Sequence, residues 1–298
     1  MLTRRGFTLV ELLIALVLMG IVSAAVYRVL VNNQRVYQMQ TQRIDLQQNI
    51  RAAATILPAE FRELDALDGD ITAMSATSIT VRAMRWLGFM CDPPVLGGAV
   101  GALTTTIRGA PLFFGSRGIL TSDSILVYYD GNQASRLDDA WWAGRPTAIP
   151  AAQNCPTDGR PGTRIFFALR TGGAPAPPYV GAPPNFPGAI PPGAPVRGFE
   201  TVTYQLYRPA GDTSWYVGMQ PTGQAMQPLV GPVLANGLAF TYFTAAGAPT
   251  AVPAEVARID ITVRGRTAQL VRQTTGSVMG PTLDSVVTSV ALRNNRRF

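Results

Sequence analysis

The sequence predicts an α+β fold: one long N-terminal helix, transmembrane at first and amphipathic after that, packed on a β-rich antiparallel globular body. Three observations predict it. The run from Phe7 to Tyr27 is predominantly apolar, and beyond it a helical pattern continues without Gly or Pro until Pro58. The remainder is interrupted by abundant Gly (29) and Pro (24), which favour short strands and turns over further long helices. With 298 residues the chain has room for one large or two small globular domains.

The helix is read first. At 1.5 Å per residue, about twenty residues from Phe7 span a hydrocarbon core about 30 Å thick. Arg4 and Arg5 precede the run and predict that this end stays cytoplasmic while everything after Arg28 is delivered across the membrane. A secretory signal peptide would have a shorter apolar region before a cut such as Ser23-Ala24-Ala25. A plain signal anchor accepts the length, yet Glu11 costs it about 3 kcal/mol on insertion scales. Beyond Tyr27, residues Val29, Val36, Met39, Leu46, Ile50, Ala53 and Leu57 recur at spacings that make one apolar stripe, opposite a face rich in Gln, Asn and Arg. Arg43 within the stripe argues against a coiled coil. From Phe7 to Leu57 the rod is about 76 Å long, and a further turn or two after Pro58 takes in Phe61 and Leu64.

Eight short runs in the body read as strands: Ser78 to Trp86, Ser124 to Tyr129, Arg164 to Leu169, Thr201 to Tyr207, Trp215 to Met219, Leu238 to Phe243, Val256 to Val263 and Val286 to Leu292. Apolar and polar residues alternate from Thr201 to Tyr207 and from Ile259 to Val263, as they do where one sheet face is buried on a helix. Between Gly172 and Pro195 the Pro content forbids a regular sheet and the few apolar residues offer little anchorage, which predicts a long exposed loop. That shift in composition also suggests two lobes divided near 170–197.

Composition removes much chemistry. All 25 basic residues are Arg, with neither Lys nor His, at a net charge of +7. Without imidazole there is no Ser-His-Asp or Cys-His nucleophile and no His-based zinc site, and without Lys no Schiff base or P-loop lysine. No enzyme, cofactor or metal is expected. Asp123 and Asp138-Asp139 offer carboxylates for a membrane-anchored hydrolase, but a turn or a cap explains each. The Arg excess, the C-terminal Arg293, Arg296 and Arg297, and the stacking surface of Trp141-Trp142 are the features that would serve DNA binding or adhesion, against a solvated face and core packing as the plainer reading. Cys91 and Cys155 are too few for a four-thiolate site. Either they form a disulfide, stabilising by about 4 kcal/mol in the chain-entropy model, or they are two buried thiols.

The string Arg5-Gly6-Phe7-Thr8-Leu9-Val10-Glu11-Leu12-Leu13-Ile14-Ala15 resembles the cleavage and methylation motif of type IV prepilins and type II secretion pseudopilins. The resemblance implies a pilin-like fold, a leader of residues 1–6 cut after Gly6 by the prepilin peptidase, and N-methylation of Phe7. It further implies a spine helix over 7–57, transmembrane over 7–27, and a periplasmic or extracellular body over 58–298. Glu11 becomes the fifth residue after the cut. Once Phe7 carries a free amino charge, a Glu one turn away on a neighbouring subunit can pair with it and reward one axial stagger, so Glu11 is expected to set assembly register.

The last hundred or so residues are similar to the tail of the larger minor pilins and the J-type pseudopilin. By that resemblance the chain is a minor pilin that helps initiate or cap a type IV pilus. The alternatives are a minor pseudopilin of a type II secretion system and a DNA-binding or adhesive tip pilin. Its implied partners are the prepilin peptidase, other minor pilins, the major pilin, an inner-membrane platform protein and the membrane itself. Its implied location is the inner membrane, single-pass with a periplasmic body, and then the filament or cell surface.

Overall fold

A computed structural model describes residues 8–96, 103–129, 140–149, 152–169, 190–272 and 279–293. Helix α1 (Leu9–Arg62) leads the chain. The strands are β1 (Ile71–Met74), β2 (Ser78–Phe89), β3 (Val95–Leu96), β4 (Leu103–Arg108), β5 (Phe114–Gly115), β6 (Ser124–Tyr129), β7 (Ala140–Ala148) and β8 (Ala152–Asn154). They continue with β9 (Pro161–Leu169), β10 (Pro195–Tyr207), β11 (Trp215–Pro221), β12 (Gln227–Phe243), β13 (Arg258–Arg266), β14 (Val271–Arg272), β15 (Met279–Gly280) and β16 (Leu283–Ala291). The architecture is a long N-terminal helix on a large antiparallel sheet, the α+β class the sequence predicts. Each of the eight expected strands overlaps an observed one; most ends move by three residues or fewer, but β10 starts six residues and β12 eleven residues earlier than expected.

The sheet is organised by two long strands. β2 and β10 pair antiparallel from Phe89↔Pro195 to Ser78↔Gln205. On its other side β10 bonds two different neighbours. Its C-terminal half takes β11, which leads outward through β12 and β13 to the edge strand β16, whereas its N-terminal half takes β6, which leads through β7 and β9 to β4. This second arm curls round. The Met90↔Ile107 bridge and the bond from the Cys91 amide to the Thr106 carbonyl (2.8 Å) bring β4 back to the end of β2. A closed ring β2-β10-β6-β7-β9-β4 results, whose alternate residues point inward: Trp86, Ile107, Ile125, Val127, Trp142, Ile165, Phe167 and Val196 share one buried cluster. Trp86 lies directly across from Gly198, where any side chain would sit within 2.0 Å of the indole.

The helix packs on the first arm. Ala53, Leu57 and Phe61 join Ile79 and Val81 of β2, Leu238 and Phe240 of β12, Ile259, Ile261 and Val263 of β13, and Val290 of β16 in a second cluster. One turn and more toward the N-terminus, Leu46 and Ile50 rest over Gly265 of β13, where a Cβ would come within 2.7 Å of the Leu46 side chain. Gly265 is therefore what lets helix and sheet approach this closely. Pro58 does not end α1, which runs on to Arg62. A proline forfeits one bond to the turn before it, and fully buried Leu57 and Phe61 on either side hold the helix in line against that loss. The Arg293 amide then bonds the Arg62 carbonyl (2.9 Å), tying the end of β16 to the end of the helix.

Most of the Pro-rich segment, 170–189, lies outside the described residues. Its end corrects the expectation of poor anchorage: Ile190 and Ala194 are buried in the ring's cluster, and the backbones of Met90, Gly193 and Ala194 bond one another at 2.8 and 3.0 Å. The seam of the ring is also where the cysteines meet. Cys91, next to the Met90 bridge, is bonded to Cys155 at the approach to β9, with Cα atoms 5.4 Å apart across 64 residues of sequence. A crosslink closing a loop of that length stabilises by about 4 kcal/mol. Neither cysteine should be alkylated in the unfolded, unreduced protein. Replacing both by Ser should lower the unfolding free energy by about that amount in a denaturant titration, with an unchanged N-terminal helix by circular dichroism.

Candidate assembly site on the N-terminal helix

The candidate site is the free arm of α1. Thr8 is the N-cap, with extended backbone angles (φ −82°, ψ 151°), and it opens a reciprocal cap with Glu11. The Thr8 amide and hydroxyl each donate to Glu11 Oε2 at 2.9 Å, and the Glu11 amide donates to Thr8 Oγ1 at 3.3 Å. Such a box satisfies donors that the first turn otherwise leaves open, and the helix dipole favours a carboxylate there. The reading of Glu11 from its place in the motif passed over this local role, although Thr8-Leu9-Val10-Glu11 is the S/T-x-x-E spacing that signals it.

Gly6 and Phe7 lie outside the described residues. Thr8 and Glu11 nevertheless fix the local geometry. The carboxylate is folded back to Thr8, the N-cap at the very start of the helix. From Leu9 to Leu30 the large apolar side chains are exposed on every side of the helix. This is the one helix among the described residues long and apolar enough to cross a membrane. Full burial against the body starts at Leu46, but body residues Gln269 to Val271 and Met279 already border the helix from Asn32 onward, so about 35 Å of helix projects clear of the body.

The other sequence-selected residues fall elsewhere. Trp141 and Trp142 alternate in β7: Trp142 points into the ring, while Trp141 lies on the opposite face between Tyr128 (5.3 Å) and the Arg197 guanidinium (5.5 Å). The pair therefore offers no joint stacking surface. Arg293 is exposed and pairs with Glu63 (3.2 Å) at the end of α1; Arg296, Arg297, Asp138 and Asp139 lie outside the described residues.

Asp123 is 1% exposed and fully engaged. Its Oδ2 accepts from the Trp86 indole (2.9 Å), the Leu120 amide (3.0 Å) and Arg117 Nη1 (3.0 Å), and Oδ1 pairs with Arg117 Nη2. Burial opposes ionisation, but the Arg117 guanidinium, the Leu120 N–H and the Trp86 N–H outweigh it and hold the carboxyl below the usual carboxylate range. A carboxylate so held anchors Trp86 at the ring wall and is poorly suited to give or take a proton near neutrality.

Residues 1–27 match the family model for the prokaryotic N-terminal methylation motif, the motif characteristic of type IV pilins and pseudopilins. No curated protein and no solved structure matches the chain.

Because the folded Asp123 carboxyl titrates below its unfolded value of about 3.9, its contribution is complete above that pH and fades as pH falls through the folded value. Urea titrations between pH 2 and 6 should show the wild-type protein losing stability across that acid window. Asp123→Asn should flatten this part of the profile, and at pH 7 should cost about 1–3 kcal/mol because the Trp86 and Leu120 donors lose a charged acceptor and Arg117 keeps only Glu200 at 3.9 Å.

Proposed function

We propose, from an N-terminus that carries the methylation motif of type IV pilins and pseudopilins, that this chain is a minor pilin. In this reading it is cut after Gly6, methylated on Phe7, held in the inner membrane by α1 and then built into a type IV pilus, where it helps initiate or cap the filament. The observation that carries the reading is the helix arm: an apolar rod with a matching processing motif and no cover from its own body. A helix hydrophobic all round is at home in lipid or in a bundle of like helices, and a filament subunit passes from the first to the second. The protein does no chemistry itself; its partners are the peptidase, the platform protein and the other pilins.

In this scheme Glu11 acts twice. In the single chain it caps its own helix. In the filament its charge faces the methylated amino group of Phe7 on an adjoining subunit, favouring one stagger over others. The bulk of the body, a helix-backed sheet plus a closed ring, suits a component present in few copies at an end better than one repeated along a shaft.

Mass spectrometry of the mature chain should find an N-methylated Phe7, and an intact leader on assembled protein would overturn the reading. Substitutions separate the two roles of position 11. Glu11→Gln keeps hydrogen-bonding oxygen and removes the charge, so a register role requires Gln and Ala alike to reduce incorporation into sheared filaments at least tenfold, the effect of losing about 1.4 kcal/mol of pairing. If the Gln variant incorporates like wild type, the cap alone explains the residue. Loss of enzyme secretion with intact pili in a deletion strain would favour the pseudopilin alternative.

A further inference from the structure

We infer that the stretch of α1 just past the apolar run is a binding site for the headgroups of anionic phospholipids, formed by Arg28, Asn32 and Arg35. The inference rests on the reading that the run ending at Tyr27 spans the membrane, and goes beyond it by naming a lipid class and the residues that select it.

Position is the first argument. Arg28 stands about 28 Å along the axis from Leu9, one hydrocarbon thickness of about 30 Å, so it reaches the interface on the side where the helix emerges. Its neighbour Tyr27 is exposed, and aromatic rings with a polar tip collect at that depth. Three residues then share one helix face: 28, 32 and 35 stand at the i, i+4, i+7 spacing, and all three are exposed. Helical side chains lean toward the N-terminus, which here is the membrane. Arg35 therefore reaches back about one turn toward the headgroups while Arg28 snorkels up to them.

Charge is the second. Between Glu11 and Asp45 there is no acidic residue, yet Arg28, Arg35 and Arg43 fall in that interval. Asp45 stands about 15 Å beyond Arg35 along the axis, farther than the Debye length of about 8 Å at physiological salt. Among the described residues, the body segment that lines this stretch brings no carboxylate either. A cavity of about 430 Å³ lies between Asn32, Arg35 and Gln42 of the helix and Gln269, Leu270, Val271 and Met279 of the body, and the Gln269 amide donates to Gln42 Oε1 (3.2 Å). Among the described residues, neither α1 nor the segment beside it sets a carboxylate against Arg28 or Arg35.

Guanidinium groups bind phosphate oxygens in bidentate fashion, and an Asn amide between them adds a donor. A phosphodiester with net negative charge, at the depth where Arg28 sits, is the ligand this triad suits. The bound headgroups would fix how deep the helix sits and would have to be released when the subunit leaves the lipid.

The test uses the full chain in nanodiscs of equal phosphatidylglycerol and phosphatidylcholine, with lipids retained on the protein counted by native mass spectrometry. Each basic group beside an anionic surface changes partition about fivefold. The wild-type protein should therefore retain phosphatidylglycerol in roughly tenfold or greater excess, and R28Q/R35Q should lose most of that excess, whereas R293Q, distant at the far end of α1, should keep it. Millimolar inorganic phosphate should not displace the lipid. Equal retention of the two lipids by the wild type, an undiminished excess in R28Q/R35Q, or displacement by free phosphate would each overturn the inference. Arg28 and Arg35 are both exposed, and Arg35 only borders the cavity beside Gln269, so an unchanged thermal transition of R28Q/R35Q checks that folding is intact. Resistance of the chain to carbonate extraction is read in the same samples: a chain that extracts freely defeats the spanning helix and this inference together, and an embedded chain with no lipid preference defeats this inference alone.

Discussion

From Leu9 to Leu30 the helix carries large apolar side chains all round, and the body covers none of them. That exposed surface constrains everything else about the molecule. Side chains of this size gain roughly 1.5–3 kcal/mol each when removed from water, so together they drive the rod out of water. The rod must lie in lipid or among other helices. Farther along, the same unbroken helix changes solvent twice: a polar stretch rich in Gln and Asn follows, and from Leu46 to Phe61 a single stripe is buried on protein. Continuity matters here, because a helix that is one rigid piece passes the orientation of the arm directly to the body.

The body meets that demand by gripping the far end of the helix from several sides. Gly265 removes the side chain that would hold β13 away from Leu46 and Ile50. Arg85 of β2 bonds both oxygens of Glu60 on α1 at 3.0 Å and Glu200 of β10 at 3.1 Å, so one guanidinium ties the helix to the two central strands. Nearby, Arg82 and Arg197 converge on Asp70 at 3.4 and 3.2 Å. Partly buried pairs of this kind contribute little net stability compared with apolar contacts, but breaking one member is costly. They act on orientation more than on stability. Both β2 and β10 also form walls of the closed ring, so the ring is carried on the same frame that holds the helix.

The sequence made legible whatever depends on local periodicity. The apolar run, the stripe through Leu57 and the eight strongest strands each follow from side chains within one turn or one pleat of each other. The remainder depended on contacts remote in sequence. β7 contains Gly144 and Pro146, which argue against a strand when read locally, yet Pro146 pairs with Phe167 and the ladder slips by one residue immediately after it, at Thr147. β4, with its run of three threonines, is a strand because β9 lies beside it. Closure of the ring rests on Met90 meeting Ile107, and no feature near either residue announces the other. Ile190 reads as a lone apolar residue among prolines and becomes core only because a ring stands ready to receive it. At the candidate site, the position of Glu11 in the motif was plain, whereas its hydrogen bonds to Thr8 were overlooked in favour of the longer-range role.

The observed cap and the register role proposed for Glu11 are complementary once the energetics are ordered in time. A carboxylate deep in hydrocarbon costs about 3 kcal/mol or more, but the cost falls steeply toward the membrane surface. Glu11 stands in the first turn, where two donors from Thr8 and the aligned peptide dipoles already stabilise its charge. The cap thus makes insertion of a single subunit tolerable without any partner. It does not explain a preference between neighbours, since the Thr8 donors are the same whatever the stagger. Register selection requires that a partner charge compete for the same carboxylate, and a free amino terminus, bearing a full charge where Thr8 offers neutral donors, forms the stronger charge-assisted bond. The exchange of a local cap for a pairing between subunits would therefore occur only when a second helix arrives in the correct register. A mispaired neighbour would leave the cap in place and gain nothing.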